Sequence, residues 1–372
     1  MKRFLSLILI LVIPAAVFCQ HYFLFTGTYT NGNSKGIYVY DLNLNKGTAR
    51  ELSVASSKNP SYLAITKDGK YLYAVNENGS DKPGEVSSFS INRQNGKLEF
   101  INSRETGGAD PCYISVTRNR KWIVVANYNG GNLSALSLNG NGSIGDTRQV
   151  INHYGKSINK DRQEKAHVHM ALFSAGENYV YTPDLGMDKV MIYQFNSGQS
   201  NPLQPARDSV IAVQPGHGPR HLAFHPRLPY AYLVEELSGT IAVFKTGPGG
   251  SLQPLQDISS HPVKYSGVHG SADIHVSPDG KFLYASNRGD ANTIAIFPIG
   301  SDGKLGNPSF QPVMGETPRN FIIDPSGNFL LVANQTSSNI VVFRINRANG
   351  LLRPTGLQVK VPNPVCLKLL PR

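Results

Sequence analysis

The chain has 372 residues, with 36 Lys+Arg against 25 Asp+Glu and a formal charge of +11. Only 16% of residues are charged and 40% are hydrophobic, which excludes intrinsic disorder, a state of low hydrophobicity and high charge density. The 36 glycines and 24 prolines exclude a long helical bundle, lack collagen's every-third spacing, and point to a turn-rich all-β chain too long for one ordinary core.

The N-terminus reads as an address. Lys2 and Arg3 precede an apolar run from Phe4 to Ile13, followed by Pro14, Ala15 and Ala16. This is the layout of a secretory signal peptide over residues 1–20, cleaved near Cys19 or Gln20. Phe18 stands where lipid attachment wants a small residue, which argues against an anchor on Cys19. The run is too short for a stable membrane span. Export would place residues 21–372 in the periplasm or outside the cell, and losing Lys2 and Arg3 would lower the charge from +11 to +9.

After the leader, strands are expected at His21–Thr28, Gly36–Leu42 and 51–55. A unit then recurs with a period of ~50 residues, the signature of a repeat architecture. Its heads are Asn59-Pro60-Ser61-Tyr62, Asp110-Pro111-Cys112-Tyr113, His167-Val168-His169, Gly218-Pro219-Arg220-His221, Gly270-Ser271-Ala272-Asp273, Thr317-Pro318-Arg319-Asn320 and Asn363-Pro364-Val365-Cys366. Each head opens a first strand. Turns such as Asp68-Gly69-Lys70 and Asp279-Gly280-Lys281 lead to second strands at Tyr71–Asn76, Trp122–Asn127, Tyr179–Asp184, Tyr230–Glu235, Phe282–Asn287 and Phe329–Asn334. Third strands follow, as at Thr240, Thr293 and Ile340. Four-stranded units at this period predict a seven-bladed β-propeller. The seventh unit has only a first strand and the chain start lacks one, so the two termini are expected to share a blade and close the ring. Cys112 then falls in blade two and Cys366 in blade seven, with blade one between them, which argues against a disulfide.

In such blades the loops entering strand one and leaving strand two meet on one face of the central channel. That geometry selects two columns of residues. One holds Tyr62, Tyr113, His169, His221, Asp273, Asn320 and Cys366, with Arg220 and Arg319 just before it. The other holds Tyr29, Glu77, Tyr128, Leu185, Glu236, Arg288 and Gln335. Polar groups converging on a concave site form the default active-site expectation. Asn76, Asn127, Asn287, Asn334 and Asp184 recur at strand ends and read as turn residues. Glu236, Arg220 and Arg288 depart from the repeat and read as functional. His167 and His169 alternate along a strand and so face opposite ways, which argues against a two-histidine metal site. His221 and His275 are open to a plain packing role. Lys156, Lys160, Arg162 and Lys165 lie in the longest inter-repeat segment, read as an exposed loop or a basic lid.

The chain resembles the seven-bladed propeller lactonase family, which includes bacterial 6-phosphogluconolactonases and fungal carboxymuconate-lactonizing enzymes. The resemblance rests on Gly27-Thr28-Tyr29-Thr30, His167-Val168-His169, Pro183-Asp184-Leu185-Gly186, Gly218-Pro219-Arg220-His221, Glu235-Glu236-Leu237-Ser238, Ser286-Asn287-Arg288-Gly289 and Thr317-Pro318-Arg319. It implies a channel site of His169, Arg220, Glu236 and Arg288, the positions the two columns also select. Arg319, His221, Tyr128 and Glu77 are expected to bind substrate. Two departures stand out. Glu235 replaces the family's frequent Asn, so it either raises its neighbour's pKa or caps a turn. Asn320 stands where some relatives have a sixth-repeat histidine.

For a cyclic ester, Glu236 is a candidate proton acceptor or donor, the arginines are candidate anion and oxyanion binders, and His169 is a second acid/base. No metal, nucleotide or flavin motif is present, and no serine nucleophile elbow. Basic residues interleaved with aromatics, as nucleic-acid binding needs, are absent. The expected partner is an anionic or sugar lactone, with no cofactor; oligomeric state is not encoded in any motif. Three functions stay open: a lactone hydrolase, a muconate-type cycloisomerase, and a non-catalytic binding propeller.

Overall fold

The computed structural model describes residues Gln20–Arg372; the leader and Cys19 lie outside the described residues. β-Branched and aromatic residues alternate with small ones between glycine turns, and these runs pair into seven four-stranded antiparallel sheets. Each sheet is a blade, and its first strand lines the central channel. Blade one contains Leu63–Ile65, Tyr71–Asn76, Glu85–Ile91 and Leu98–Glu105. Blade seven joins the C-terminal strand Pro364–Pro371 to His21–Thr28, Gly36–Asn43 and Thr48–Ser56, pairing Leu24 with Leu369. The shared blade closes the ring and leaves no open inner edge.

The six expected second strands form with the bounds read from the sequence. Neighbouring blades are clasped by a repeated contact. Tyr73, Tyr181, Tyr232 and Tyr284 each donate a hydroxyl hydrogen bond to a turn glycine carbonyl of the next blade, at 2.8–3.0 Å. The glycine is required there. Gly303 has φ 78°, and a Cβ on it would lie 2.4 Å from the Tyr230 ring.

One first strand differs from expectation. In blade three only Leu172–Phe173 forms, with a single bridge between Val168 and Asp184. Pro183 accepts from the His169 N–H at 2.9 Å but has no N–H to return, so the ladder is interrupted beside His169.

A second irregularity recurs and positions the site. Where strand one enters the channel, one extra residue bulges out of the pairing. Pro219 faces Glu235 but His221 faces Val234, leaving Arg220 over; the same shift leaves over Cys112 in blade two, Arg319 in blade six and Val365 in blade seven. Bulges re-aim side chains. Here they turn the third residue of these four heads toward the channel.

Cys112 and Cys366 are both buried and unpaired. Burial raises both thiol pKa values. Neither thiol is expected to react with a disulfide reagent in the native protein at pH 8, whereas both react in denaturant; a thiol count with and without guanidinium checks this. Among the described residues no helix is long and apolar enough to cross a membrane.

Candidate active site

The channel mouth holds a cavity of about 380 Å³ lined by Tyr29, Glu77, Asp110, Cys112, Tyr128, Asn129, Arg162, His169, Glu236, Arg288 and Arg319. Six of the eight residues singled out in the sequence line it. The other two, Arg220 and His221, lie just beneath, around a void of about 10 Å³ shared with His169 and Arg319.

Glu236 is the hub. It follows strand two of blade four, and its N–H donates to Gly218 O at 2.7 Å, which fixes the side chain over the channel. Its Oε2 accepts from Arg220 Nε at 2.8 Å and lies 3.1 Å from Arg288 Nη2. Its Oε1 accepts from Arg162 Nη2 at 2.8 Å. Burial alone would push this carboxyl up; Arg288 and Arg220 outweigh it, helped by His169 and Arg162, and hold the carboxyl well below the usual range. Glu236 is therefore a fixed anion and a weak base.

The arginines are held in turn. Arg220, 2% exposed, also donates to Ala272 O, and burial together with Arg288 pulls its pKa down to about 10, still charged at neutral pH. Arg288 Nε donates to Gly270 O at 2.8 Å. Among the described residues the Arg319 side chain takes part in no hydrogen bond or ion pair; its guanidinium lies 5.3 Å from the centroid of the Tyr29 ring. The Tyr29 hydroxyl donates to both oxygens of Glu77, at 3.0 and 3.1 Å. Burial raises the Glu77 pKa, against the lowering pull of Arg319. The Glu77 and Glu236 carboxyls are thus pushed in opposite directions.

His169 is buried, and burial, Arg220 and His221 hold its pKa well below the ordinary value, so the ring is neutral at pH 7. Its Nδ1 lies 3.8 Å from Cys112 Sγ, and among the described residues Nε2 makes no hydrogen bond. His167 faces the other way, onto Tyr128 O and Glu164, as the alternation predicts. Among the described residues no group of three or more His, Cys, Asp or Glu is placed to hold a metal ion.

Other expectations resolve. Asn76 and Asn287 brace the preceding loops through Lys58 O and Ser260 O, and Asp184 accepts from His167 N and Gly186 N, so these strand-end residues are structural. Glu235 turns away from Glu236 and pairs with His217 Nδ1 at 2.5 Å, so it does not raise its neighbour's pKa. Arg162 is the functional candidate the columns missed. The loop over residues 153–166 folds back through Gln163 Nε2 on Leu185 O at 2.9 Å and delivers Arg162 to Glu236 and to the Tyr128 hydroxyl at 3.2 Å. Its only signal in the sequence was the basic cluster, whose Lys156 and Lys160 are exposed and outside the cavity.

Comparison with known proteins bears on this site. Residues 23–369 match the model of the family "Lactonase, 7-bladed beta-propeller". The chain is 39% identical over 334 residues to a 6-phosphogluconolactonase of Formosa agariphila, covering 89% of this chain and 94% of the relative. It is 34% identical over 349 residues to a 6-phosphogluconolactonase of Bacillus subtilis, covering 93% and 97%. Its fold superposes on a periplasmic gluconolactonase of Pseudomonas aeruginosa with a TM-score of 0.90 at 35% identity, covering 94% and 99%. The chain belongs to the seven-bladed β-propeller lactonase family.

Proposed function

We propose that this chain is a hydrolase of sugar lactones, opening the ring to the aldonic acid by acid/base chemistry with no metal. The observation that carries this reading is a neutral histidine, with its Nε2 unengaged, beside an arginine cluster locked on one carboxylate. His169 Nε2 takes a proton from water as the water oxygen attacks the lactone carbonyl. Negative charge develops on the carbonyl oxygen and is met by the Arg288 guanidinium, which lines the cavity above the buried Arg220, an effect typically worth about 3–4 kcal/mol per donor. The acyl–oxygen bond of the ring then breaks, and the His169 imidazolium returns its proton to the leaving alkoxide. Glu236 sets the geometry of the arginines, and the proton-accepting role passes to His169. Arg319, without an ion-pair partner, is suited to a substrate or product anion. Glu77 and Tyr128 line the cavity as groups for the sugar hydroxyls. The leader-like N-terminus and the similarity to a periplasmic gluconolactonase support an exported enzyme acting on an unphosphorylated lactone.

The test is turnover of δ-gluconolactone and of its 6-phosphate in 18O-enriched water, with the spontaneous rate subtracted. The expected product is the aldonate carrying one solvent oxygen in its carboxylate, formed faster from the unphosphorylated lactone. Failure of both lactones, or conversion of a muconate-type substrate without solvent oxygen, would overturn the proposal. A milder change is expected at the loop. Arg162→Gln removes a half-exposed partner of Glu236 and should raise KM about threefold to tenfold while shifting Tm by no more than about 2 °C, as for an exposed ion pair. Steady-state kinetics and thermal melts check this.

A further inference from the structure

At five of the repeat heads a residue with a left-handed backbone precedes a proline. Asn59, Asp110, Gly218, Thr317 and Asn363 have φ between 41° and 66°. Among L side chains, Asn and Asp suit this conformation best. Asn59 and Asp110 also share a task. Asn59 Oδ1 accepts from the Thr30 N–H at 2.8 Å, in the loop leaving the second strand of blade seven. Asp110 Oδ1 accepts from the Gly79 N–H at 2.9 Å, in the loop leaving the second strand of blade one. A neutral amide thus braces the neighbouring blade as well as a carboxylate does, so neither the backbone nor the brace calls for the charge of Asp110. That charge is buried at a cost. Among the described residues Asp110 has no ion-pair partner, and its second oxygen accepts from the neutral Asn129 Nδ2 at 2.5 Å.

What separates the two positions is the cavity. Asp110 lines it and Asn59 does not. Burial raises the Glu77 pKa and Asp110 adds to the rise, so the two carboxyls lie within electrostatic reach of each other. Arg162 and Arg288 pair with Glu236, which leaves Arg319 alone among the guanidinium groups lining the cavity to set against Glu77 and Asp110. We propose that Asp110 is a specificity-determining residue: its carboxylate accepts hydrogen bonds from the hydroxyls of a neutral sugar lactone and repels a phosphorylated one. The inference rests on the lactonase reading and deepens it. An ionised carboxylate accepts at about four lone-pair sites. Gly79 and Asn129 each take one, so sites remain for sugar hydroxyls. A phosphate ester dianion has no proton to donate there, and it meets a like charge that the buried setting screens weakly. Arg319 is left to take the carboxylate that forms when the ring opens.

The test compares wild type with Asp110→Asn, which keeps the brace as Asn59 does and removes the charge; Asn129 can turn its amide to accept from the new one. kcat/KM is measured for δ-gluconolactone and for its 6-phosphate. The ratio of the first to the second is expected to fall at least about tenfold in the variant, through a higher KM for the neutral lactone and a lower one for the phosphate. Asp110→Gly, which places at this head the residue that Gly218 supplies in blade four, gives a second uncharged variant and is expected to change the ratio in the same direction. Binding gives a readout independent of turnover. Gluconate and 6-phosphogluconate differ only in the phosphate, and the second is expected to raise the Tm of Asp110→Asn more than that of wild type. An unchanged ratio, or an equal loss on both lactones, would overturn the assignment and leave Asp110 as a brace, with the lactonase reading intact. A wild type inactive on both lactones would overturn that reading; the binding comparison would then decide the role of Asp110 by itself, and equal Tm shifts would overturn it.

Discussion

Glu236→Gln is expected to lower kcat for lactone hydrolysis by about 10²–10³-fold in a protein that still folds. The substitution keeps the shape of the side chain and removes its charge. Arg220 and Arg288 then face each other without the carboxylate that holds them 2.8 and 3.1 Å away, and Arg162 loses its anchor. Removing one partner of a buried pair typically costs about 3–5 kcal/mol, because the remaining charge stays buried and unpaired. A lower Tm is therefore expected along with the lost activity. The cause can be distinguished from general damage. Phosphate or gluconate, binding to the unpaired guanidinium groups, should raise the Tm of the variant more than that of wild type. Near-normal hydrolysis by Glu236→Gln would remove the arginine cluster from the mechanism.

The second large effect is at His169. His169→Asn keeps a polar side chain that cannot take up a proton, and should lower kcat/KM by about 10²–10⁴-fold with little change in substrate affinity. The pH profile supplies an independent check. A group whose pKa is depressed by burial, Arg220 and His221 stays in its neutral, proton-accepting form as pH falls. The wild-type rate is therefore expected to hold from pH 8 down through 6.5 and to fall only well below that. Were Glu236 the titrating base, the acid limb would move lower still, and the His169→Asn enzyme would keep its activity. Corrected for the spontaneous reaction, rates at several pH values separate the two.

Much of this was legible in the sequence. The second strands could be placed to the residue because apolar β-formers end in a recurring Asn or acidic residue, and polar turns such as Asp68-Gly69-Lys70 and Asp279-Gly280-Lys281 mark where they start. The shared blade followed from a first strand at Pro364 and its lack at His21. The site columns followed from topology alone. What was not legible depends on three dimensions. Arg220 and Arg319 stood one residue before the column, and only the bulge that leaves them unpaired shows why they enter the channel. The short first strand beside His169 follows from Pro183, whose missing N–H matters only once its partner strand is known. Arg162 sits in a long segment without periodicity, so nothing local indicated that its guanidinium reaches Glu236. The charge state of Glu236 was the largest shift in interpretation: a lone acid in sequence reads as an acid/base, whereas three guanidinium groups around it make it an anchor.

The first measurement is acid release from gluconolactone in a pH-stat at neutral pH, with wild type and His169→Asn run side by side against the uncatalysed rate. The expected result is a wild-type rate well above background that is lost in the folded variant. A wild-type rate equal to background, or an equal enhancement in both proteins, would contradict a channel site that hydrolyses lactones through His169.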